Sequence, residues 1–290
     1  LDLRDYRSEL YIGFALQYAT TPNATALLTL SQTPDIYNPS SGILIRKNTD
    51  LSLSVESISP SQTLFTTAAN VISLNSFYYI ELKAVFNTSG SVELRVDGVT
   101  RGSYSGDTRG GLSNQSGYQY VTWVAESPPD TPMYIDDIYV CDGSGGFNNS
   151  FLGGVPVYTL LPESSGASTG MTAVGAASNW DCVNDTDWDT TTYVRSSANG
   201  LTDLYSLPSL PVNPARIAGV VLGNKSCKGD NGSRLIRNKV KTDVGDADGA
   251  SYPTTLNTYK YSYDIKEKQP DGNEWTKAVI DTMQIGIESL

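Results

Sequence analysis

Residues 77–98 read FYYIELKAVFNTSGSVELRVDG, and this stretch decides the fold class. Within it Val92, Leu94 and Val96 alternate with Glu93, Arg95 and Asp97, the period-two pattern of a strand with one face in a core and the other in water. Asp97-Gly98 follows, a pair that readily accepts the positive φ angles of a tight hairpin. The pattern continues on either side. ELYIGFALQY, TALLTLSQ, GILIRK, LSLSVES, YQYVTWVAE and YIDDIYVC are further strand-like runs, separated by turn signals such as NPSSG and SPPD. Nothing of helical period intervenes from Glu9 to Val140, so an antiparallel sandwich or jelly roll is expected over residues 1–141.

The composition then shifts. Residues 142–170 read DGSGGFNNSFLGGVPVYTLLPESSGASTG, a short apolar segment between glycine-rich stretches, and the connection between two domains is placed there. Residues 171–290 resume with TTYVRS, LTDLYSLP, ARIAGVVLG, SRLIRNKVKT and NTYKYSYDIKEK, so a second β-sandwich is expected. In the last of these runs Tyr259, Tyr261, Tyr263 and Ile265 share one face. A single helical turn is expected near Thr276 to Met283, capped by Thr276, with MQIGIESL as a closing strand. The fold class is thus all-β, two tandem sandwich or jelly-roll domains, with at most a short helix near the C-terminus.

Charge and composition exclude several function classes. The 290 residues carry a formal net charge of −11, with no cluster of Lys and Arg able to neutralise a phosphate backbone, so nucleic acid is not an expected partner. No run of about 18 apolar residues is present, and no membrane insertion is expected. The three cysteines, Cys141, Cys182 and Cys227, are far apart and lack zinc-site spacing. There is no histidine, which removes the commonest general base and the favoured transition-metal ligand.

The motifs that could carry chemistry each meet an obstacle. Gly166-Ala167-Ser168-Thr169-Gly170 matches a nucleophile elbow, but that device needs a histidine and a strand-to-helix turn; a flexible linker is expected instead. Glycoside cleavage needs two carboxyls about 5–9.5 Å apart on one side of a sugar site. Adjacent Asp136 and Asp137 in YIDDIYV point to opposite faces of a regular strand. Glu93 and Asp97 share a face but stand about 13 Å apart at about 3.3 Å per residue. A carboxylate pair drawn from distant strands remains open as an alternative.

Asp185, Asp187 and Asp189 have the alternating acidic positions of a calcium loop and are the calcium candidates. Thr190 and Ser196 stand where an EF-hand requires Gly and Glu, so turn formation is the competing reading. Asp246 and Asp248 form a weaker acidic group. The 18 tyrosines and 4 tryptophans suit sugar stacking, protein interfaces and strand packing alike. Sequence does not fix which of Tyr37, Tyr104, Tyr118 and Tyr120 is exposed, so no carbohydrate site is assigned among them, and Asn23, Asn87, Asn114 and Asn231 head N-x-S/T sequons.

The succession SELYIGFALQ, LLTLSQ, FYYIELKAVFNTSGSVELRVDG, YIDDIYVCDGSGGFNNSFLGG and VYTLLPESSG resembles a family of tailed-bacteriophage virion proteins with a concanavalin A-like, laminin G-like domain. DWDTTTYVRSSANGLTDLYSLPSLP and EWTKAVIDTMQIGIES are similar to the second half of those proteins, so the resemblance runs from about residue 9 to the end. Family members begin with further strands before the YIGFAL-like one; these are absent here, and the first sandwich is expected to lack them. The resemblance implies a non-enzymatic protein of the virion surface, a capsid decoration or a tail-fibre or receptor-binding component, with no cofactor. Its implied partners are capsid or tail subunits, further copies of itself as a trimer, and host-surface glycan. It also implies that Asp136 and Asp137 are structural carboxylates, one accepting backbone N–H bonds at a bend while the other faces solvent. The alternative is a soluble, lectin-like carbohydrate-binding module, and after it a glycosidase.

Overall fold

The computed structural model describes residues 1–20, 24–34, 41–111, 116–124, 132–187 and 189–290. Among these described residues the regular structure is β apart from one short helix and one 3-10 turn, and the chain divides into two compact units, Leu1–Val157 and Tyr158–Leu290. The expected glycine-rich connection of 142–170 is therefore itself divided. Its first part packs onto the first unit and its last part contributes a strand to the second.

In chain order the first unit contains β1 (Asp2–Arg7), β2 (Glu9–Tyr18), β3 (Thr25–Ser31), β4 (Ile43–Lys47), β5 (Leu53–Ser57) and β6 (Gln62–Thr66). Then come β7 (Tyr78–Val85), β8 (Gly90–Val96), β9 (Val99–Gly106), β10 (Tyr118–Trp123) and β11 (Met133–Asp142). They form two antiparallel sheets, ordered β1-β10-β3-β4-β5-β6 and β11-β2-β7-β8-β9. The inward side chains of both sheets make one core, in which Leu10, Ile12, Phe14, Ile45, Val55, Leu82, Leu94 and Tyr118 are fully buried. Burial of that many large apolar side chains is the main stabilising term of the unit.

The hairpin that the sequence announces is present. Asp97 and Gly98 join β8 to β9 with φ angles of 51° and 74°, as a two-residue turn with both central residues left-handed requires. The Asp97 carboxylate also accepts the Tyr79 N–H at 2.8 Å. Strict alternation fails in β11. Asp136 pairs with Ala15 and Tyr139 with Gly13, so two residues oppose one and the strand bulges. Asp137 takes a left-handed φ of 53° there. As a result Ile135 and Val140, expected on opposite faces, both pack on the core.

The second unit contains β12 (Ser164–Thr169), β13 (Thr172–Val174), β14 (Tyr193–Arg195), β15 (Thr202–Ser206) and β16 (Val220–Ser226). β17 (Leu235–Thr242), β18 (Gly245–Asp246), β19 (Ser251–Pro253), β20 (Lys260–Lys266), α1 (Lys277–Thr282) and β21 (Gln284–Ser289) complete it. One sheet runs β12-β15-β21-β17-β18 with β19 beside β17, and β13-β14 and β16-β20 are two-stranded. The core gathers Leu207, Leu222, Val240, Trp275, Val279, Ile280 and Met283.

Three expectations are corrected or sharpened here. The GASTG linker is instead an edge strand: it lies in β12, where the Ser168 hydroxyl donates to the Thr202 carbonyl at 2.7 Å. MQIGIESL closes the chain but lies in the middle of its sheet, between β15 and β17. Helix α1 forms where expected, with the Thr276 hydroxyl accepting the Val279 N–H and Lys277 pairing with Asp281 one turn on at 2.8 Å.

Candidate functional site

Three carboxylates of the first unit, Glu81, Asp136 and Asp137, hold its own backbone. Gly13 on β2 leaves room for the Tyr139 ring, since a Cβ there would lie 2.1 Å from Tyr139 Cε1. Leaning across that gap, the Tyr139 hydroxyl donates to Glu81 Oε1 at 2.6 Å. Glu81 alternates with the core residues Ile80 and Leu82, so it belongs to the outward face, yet it is only 1% exposed. The segment 151–157 accounts for that burial. Gly153 N–H donates to Glu81 Oε1 at 2.8 Å, Leu152 N–H to the Tyr139 hydroxyl at 3.2 Å, and Val157 N–H to Asp137 Oδ1 at 2.8 Å. Phe151 packs edge-on against Tyr11 and under the Arg95 guanidinium. Burial, reinforced by the bond to Glu81, pushes the Tyr139 hydroxyl well above the usual tyrosine range.

The adjacent aspartates thus serve two separate bonds. Asp136 accepts the N–H of Asp137 at 2.8 Å, fixing the bulge, and Asp137 accepts the N–H of Val157. Both accept a backbone N–H, and Asp136 is exposed to solvent while Asp137 is half-buried.

Around the calcium candidates the chain forms a tight turn. Asp189 Oδ1 accepts the N–H groups of Thr191 and Thr192 at 2.7 and 2.9 Å, and Asp189 Oδ2 accepts the Thr191 hydroxyl. The Thr192 and Thr191 N–H groups and the Thr191 hydroxyl lower this carboxyl to about 2. Asp185 is joined to the turn by the Thr192 hydroxyl at 3.1 Å. Among the described residues no three His, Cys, Asp or Glu side chains gather as a metal set.

The candidate aromatic positions separate cleanly. Tyr118 is core, with its hydroxyl donating to the Thr108 carbonyl. Tyr104 and Tyr120 are half-buried, and Tyr37 lies outside the described residues, as do Asn23 and Asn114. Asn87 and Asn231 are exposed.

The exposed aromatic face is instead on β20, where the amphipathic pattern is turned inside out. Ser262 and Asp264 point inward and are buried, while Tyr261, Tyr263 and Ile265 are 54%, 56% and 71% exposed. A hydrogen-bond network explains the inversion. Asp264 accepts the Asn238 side-chain amide at 2.8 Å, the Ala250 N–H at 2.9 Å and the Tyr252 hydroxyl at 3.1 Å. Asn224 on β16 donates in turn to Asn238 at 2.7 Å. The far end of β20 is fixed by the Trp275 indole N–H, which donates to the Lys266 carbonyl at 2.8 Å.

Pairing of β16 with β20 sets what lies beside each outward residue. Val221 is opposite Ile265, Gly223 opposite Tyr263 and Lys225 opposite Tyr261. Val221 is 63% exposed, so the apolar face spans both strands. The Tyr261 and Tyr263 rings are within 12° of parallel, their centroids 5.8 Å apart. Lys225 Nζ stands 4.7 Å from the Tyr261 centroid, a cation over an aromatic face. Gly223 lets the Tyr263 ring approach closely: a Cβ there would lie 3.0 Å from Tyr263 Cε1. Sequence pattern placed these tyrosines on one face but could not say which way it looked, because an alternating strand reads the same when inverted.

No family model matches the chain, and no curated protein matches it. Solved structures do. A carbohydrate-binding module from Bacillus subtilis is similar at 11% identity and TM-score 0.33, over 46% of this chain and 74% of its own. A galectin of Caenorhabditis elegans is similar at 14% identity and TM-score 0.33, over 49% of this chain and 88% of its own. The binding domain of botulinum neurotoxin DC, in complex with rat synaptotagmin II, is similar at 12% identity and TM-score 0.35, over 98% of this chain and 83% of its own. These likenesses have TM-scores of 0.33–0.35, and the site above stands on its own geometry.

Proposed function

We propose that the chain is a non-enzymatic, glycan-binding β-sandwich protein that holds sugar on the outward face of β16 and β20. The observation that carries this reading is the exposed pair of parallel tyrosine rings, Tyr261 and Tyr263, on a strand whose polar residues are turned inward. Tyrosine rings are apolar bodies with one polar end, suited to the C–H faces and hydroxyl edges of sugars. Area decides between sugar and a protein partner. Two strands of seven residues, at about 3.3 Å per residue and about 4.8 Å between strands, offer on the order of 200 Å². A stable protein interface takes about 800 Å² from each partner.

Binding without reaction is supported by the absence of histidine and by the carboxylates Glu81, Asp137, Asp203 and Asp264, each of which accepts hydrogen bonds from its own fold. The sequence resemblance to phage virion proteins supports placing this binding on a virion surface, beside capsid or tail subunits. A glycan array probed with the full chain and with a Tyr261→Ala, Tyr263→Ala double variant tests the reading. The wild type is expected to bind a defined glycan set, and the variant to lose at least about tenfold in affinity, the equivalent of about 1.4 kcal/mol. Equal binding by the two proteins, or none by either, would remove the assignment.

A further inference from the structure

We infer that Asn231 converts itself to an acidic residue, by a deamidation that the loop between β16 and β17 promotes. The inference is independent of the glycan reading. The chain holds two Asn-Gly pairs, Asn199-Gly200 and Asn231-Gly232. In such a pair the glycine amide nitrogen can reach the preceding side-chain carbonyl, because glycine has no Cβ to stand in the way. Both asparagines are exposed, so exposure does not separate them. What surrounds the glycine nitrogen does. Gly200 N–H donates to the Ser289 carbonyl at 2.7 Å, a neutral acceptor, and no atom beyond its chain neighbours lies within 4 Å of where its Cβ would be. Gly232 N–H donates instead to the Asp230 carboxylate at 3.1 Å.

The rest of the loop fits the reaction. Asp230 is a base on the very proton that must leave. Arg234 Nη2 pairs with Asp230 Oδ2 at 2.8 Å, and a Cβ on Gly232 would lie 3.0 Å from Arg234 Nη1. The Lys228 ammonium donates to the Gly232 carbonyl. Two cations thus flank the nitrogen as it becomes an anion, and nearby opposite charge favours the charged form. Both are held in advance, since Lys228 N–H donates to the Thr255 carbonyl and Thr254 N–H to the Arg234 carbonyl, each at 3.0 Å. In the step itself Asp230 takes the Gly232 amide proton and the nitrogen attacks Asn231 Cγ. The N–Cγ bond forms, the Cγ–Nδ2 bond breaks, and ammonia leaves with the proton that Asp230 took. Water then opens the cyclic imide at either carbonyl, leaving aspartate or isoaspartate at position 231 and one more negative charge on the chain.

The test incubates the purified full chain at neutral pH and follows positions 199 and 231 by peptide-mapping mass spectrometry, with fragmentation that separates aspartate from isoaspartate. Asn231 is expected to convert at least about tenfold faster than Asn199. Asp230→Ala should slow it at least about tenfold, an exposed base giving less than the about 10²–10⁴-fold of one in an active site. In the guanidinium-unfolded chain, where these contacts are gone, the gap between the two positions should close; that comparison needs no variant. An Asn231 that stays an amide, that converts no faster than Asn199 in the native chain, or that reacts at the same rate in Asp230→Ala would overturn the inference. So would a gap that persists unchanged on unfolding, since the flanking sequence alone would then set it.

Discussion

The Asn238 side-chain amide donates to the Asp264 carboxylate at 2.8 Å, and through this bond β17 dictates which face of β20 meets water. A buried carboxylate without partners would be costly. With Asn238, Ala250 and Tyr252 all donating to it, Asp264 is stable inside, and Tyr261 and Tyr263 on the alternate positions must be outside.

Replacing Asp264 by Ala leaves the Asn238 amide and the Ala250 N–H without their acceptor, while the Tyr252 hydroxyl keeps the Tyr263 carbonyl at 2.6 Å. Unfolding free energy should fall by about 3 kcal/mol, since a buried unsatisfied donor costs about 1–3 kcal/mol. Denaturant titration measures it. The exposed substitution Tyr261→Ala serves as control and should stay within about 0.5 kcal/mol of wild type.

Acid should weaken the same contact. Burial raises the Asp264 carboxyl, but the bonds from Ala250, Asn238 and Tyr252 outweigh it and hold the group below its ordinary value of 3.8. A carboxyl lowered by folding stabilises the native state above its unfolded value and loses that contribution as pH falls through the folded one. The stability gap between wild type and Asp264→Asn should therefore be constant near neutrality and shrink below pH 3.8. Thermal unfolding across that range checks it; a gap that widened in acid would reverse the sign.

Gly13→Ala should perturb the first unit alone. The new Cβ would lie 2.1 Å from Tyr139 Cε1 and force the ring off its bond to Glu81. Overpacking of this kind costs about 1–3 kcal/mol. Amide hydrogen exchange of residues 151–157 should speed up, because two of their N–H groups are held by Tyr139 and Glu81.

At the β8–β9 hairpin, Asp97→Ala removes the acceptor of the Tyr79 N–H and places alanine at a φ of 51°. The left-handed conformation costs a side-chain residue about 1–2 kcal/mol. A loss of about 2 kcal/mol is expected for the change, and Asp97→Gly should recover part of it.

Calcium provides a separate check. Asp189 already accepts from Thr191 and Thr192, so millimolar calcium is expected to leave the melting temperature unchanged. A rise that Asp187→Asn abolishes would show that Asp185, Asp187 and Asp189 take the ion.

Much of the fold was legible because alternation and turn chemistry are local. Val92, Leu94 and Val96 face the core as their spacing requires, and Asp97-Gly98 turns where its φ preferences allow. Thr276 capped the expected helix for the same reason. What failed depends on distant partners. The bulge at Asp137 is stabilised by Val157, 20 residues on, and no period within YIDDIYV reveals it. Ser164–Thr169 lacks large apolar residues, so its place in a sheet comes from pairing with β15. The site was half legible. Tyr259, Tyr261, Tyr263 and Ile265 were placed on one face, but Tyr259 is half-buried outside β20, and the exposure of the other three follows from Asn238 and Asp264, which lie 26 residues apart.

Sugar held on Tyr261 and Tyr263 would change the surroundings of those two rings before any others. The most direct test is a ring-proton NMR titration of tyrosine-labelled full chain with whichever glycan binds, with resonances assigned by Tyr→Phe variants. Among the 18 tyrosines, the largest shifts are expected on Tyr261 and Tyr263. Largest shifts on tyrosines of the first unit, with Tyr261 and Tyr263 unmoved, would contradict it.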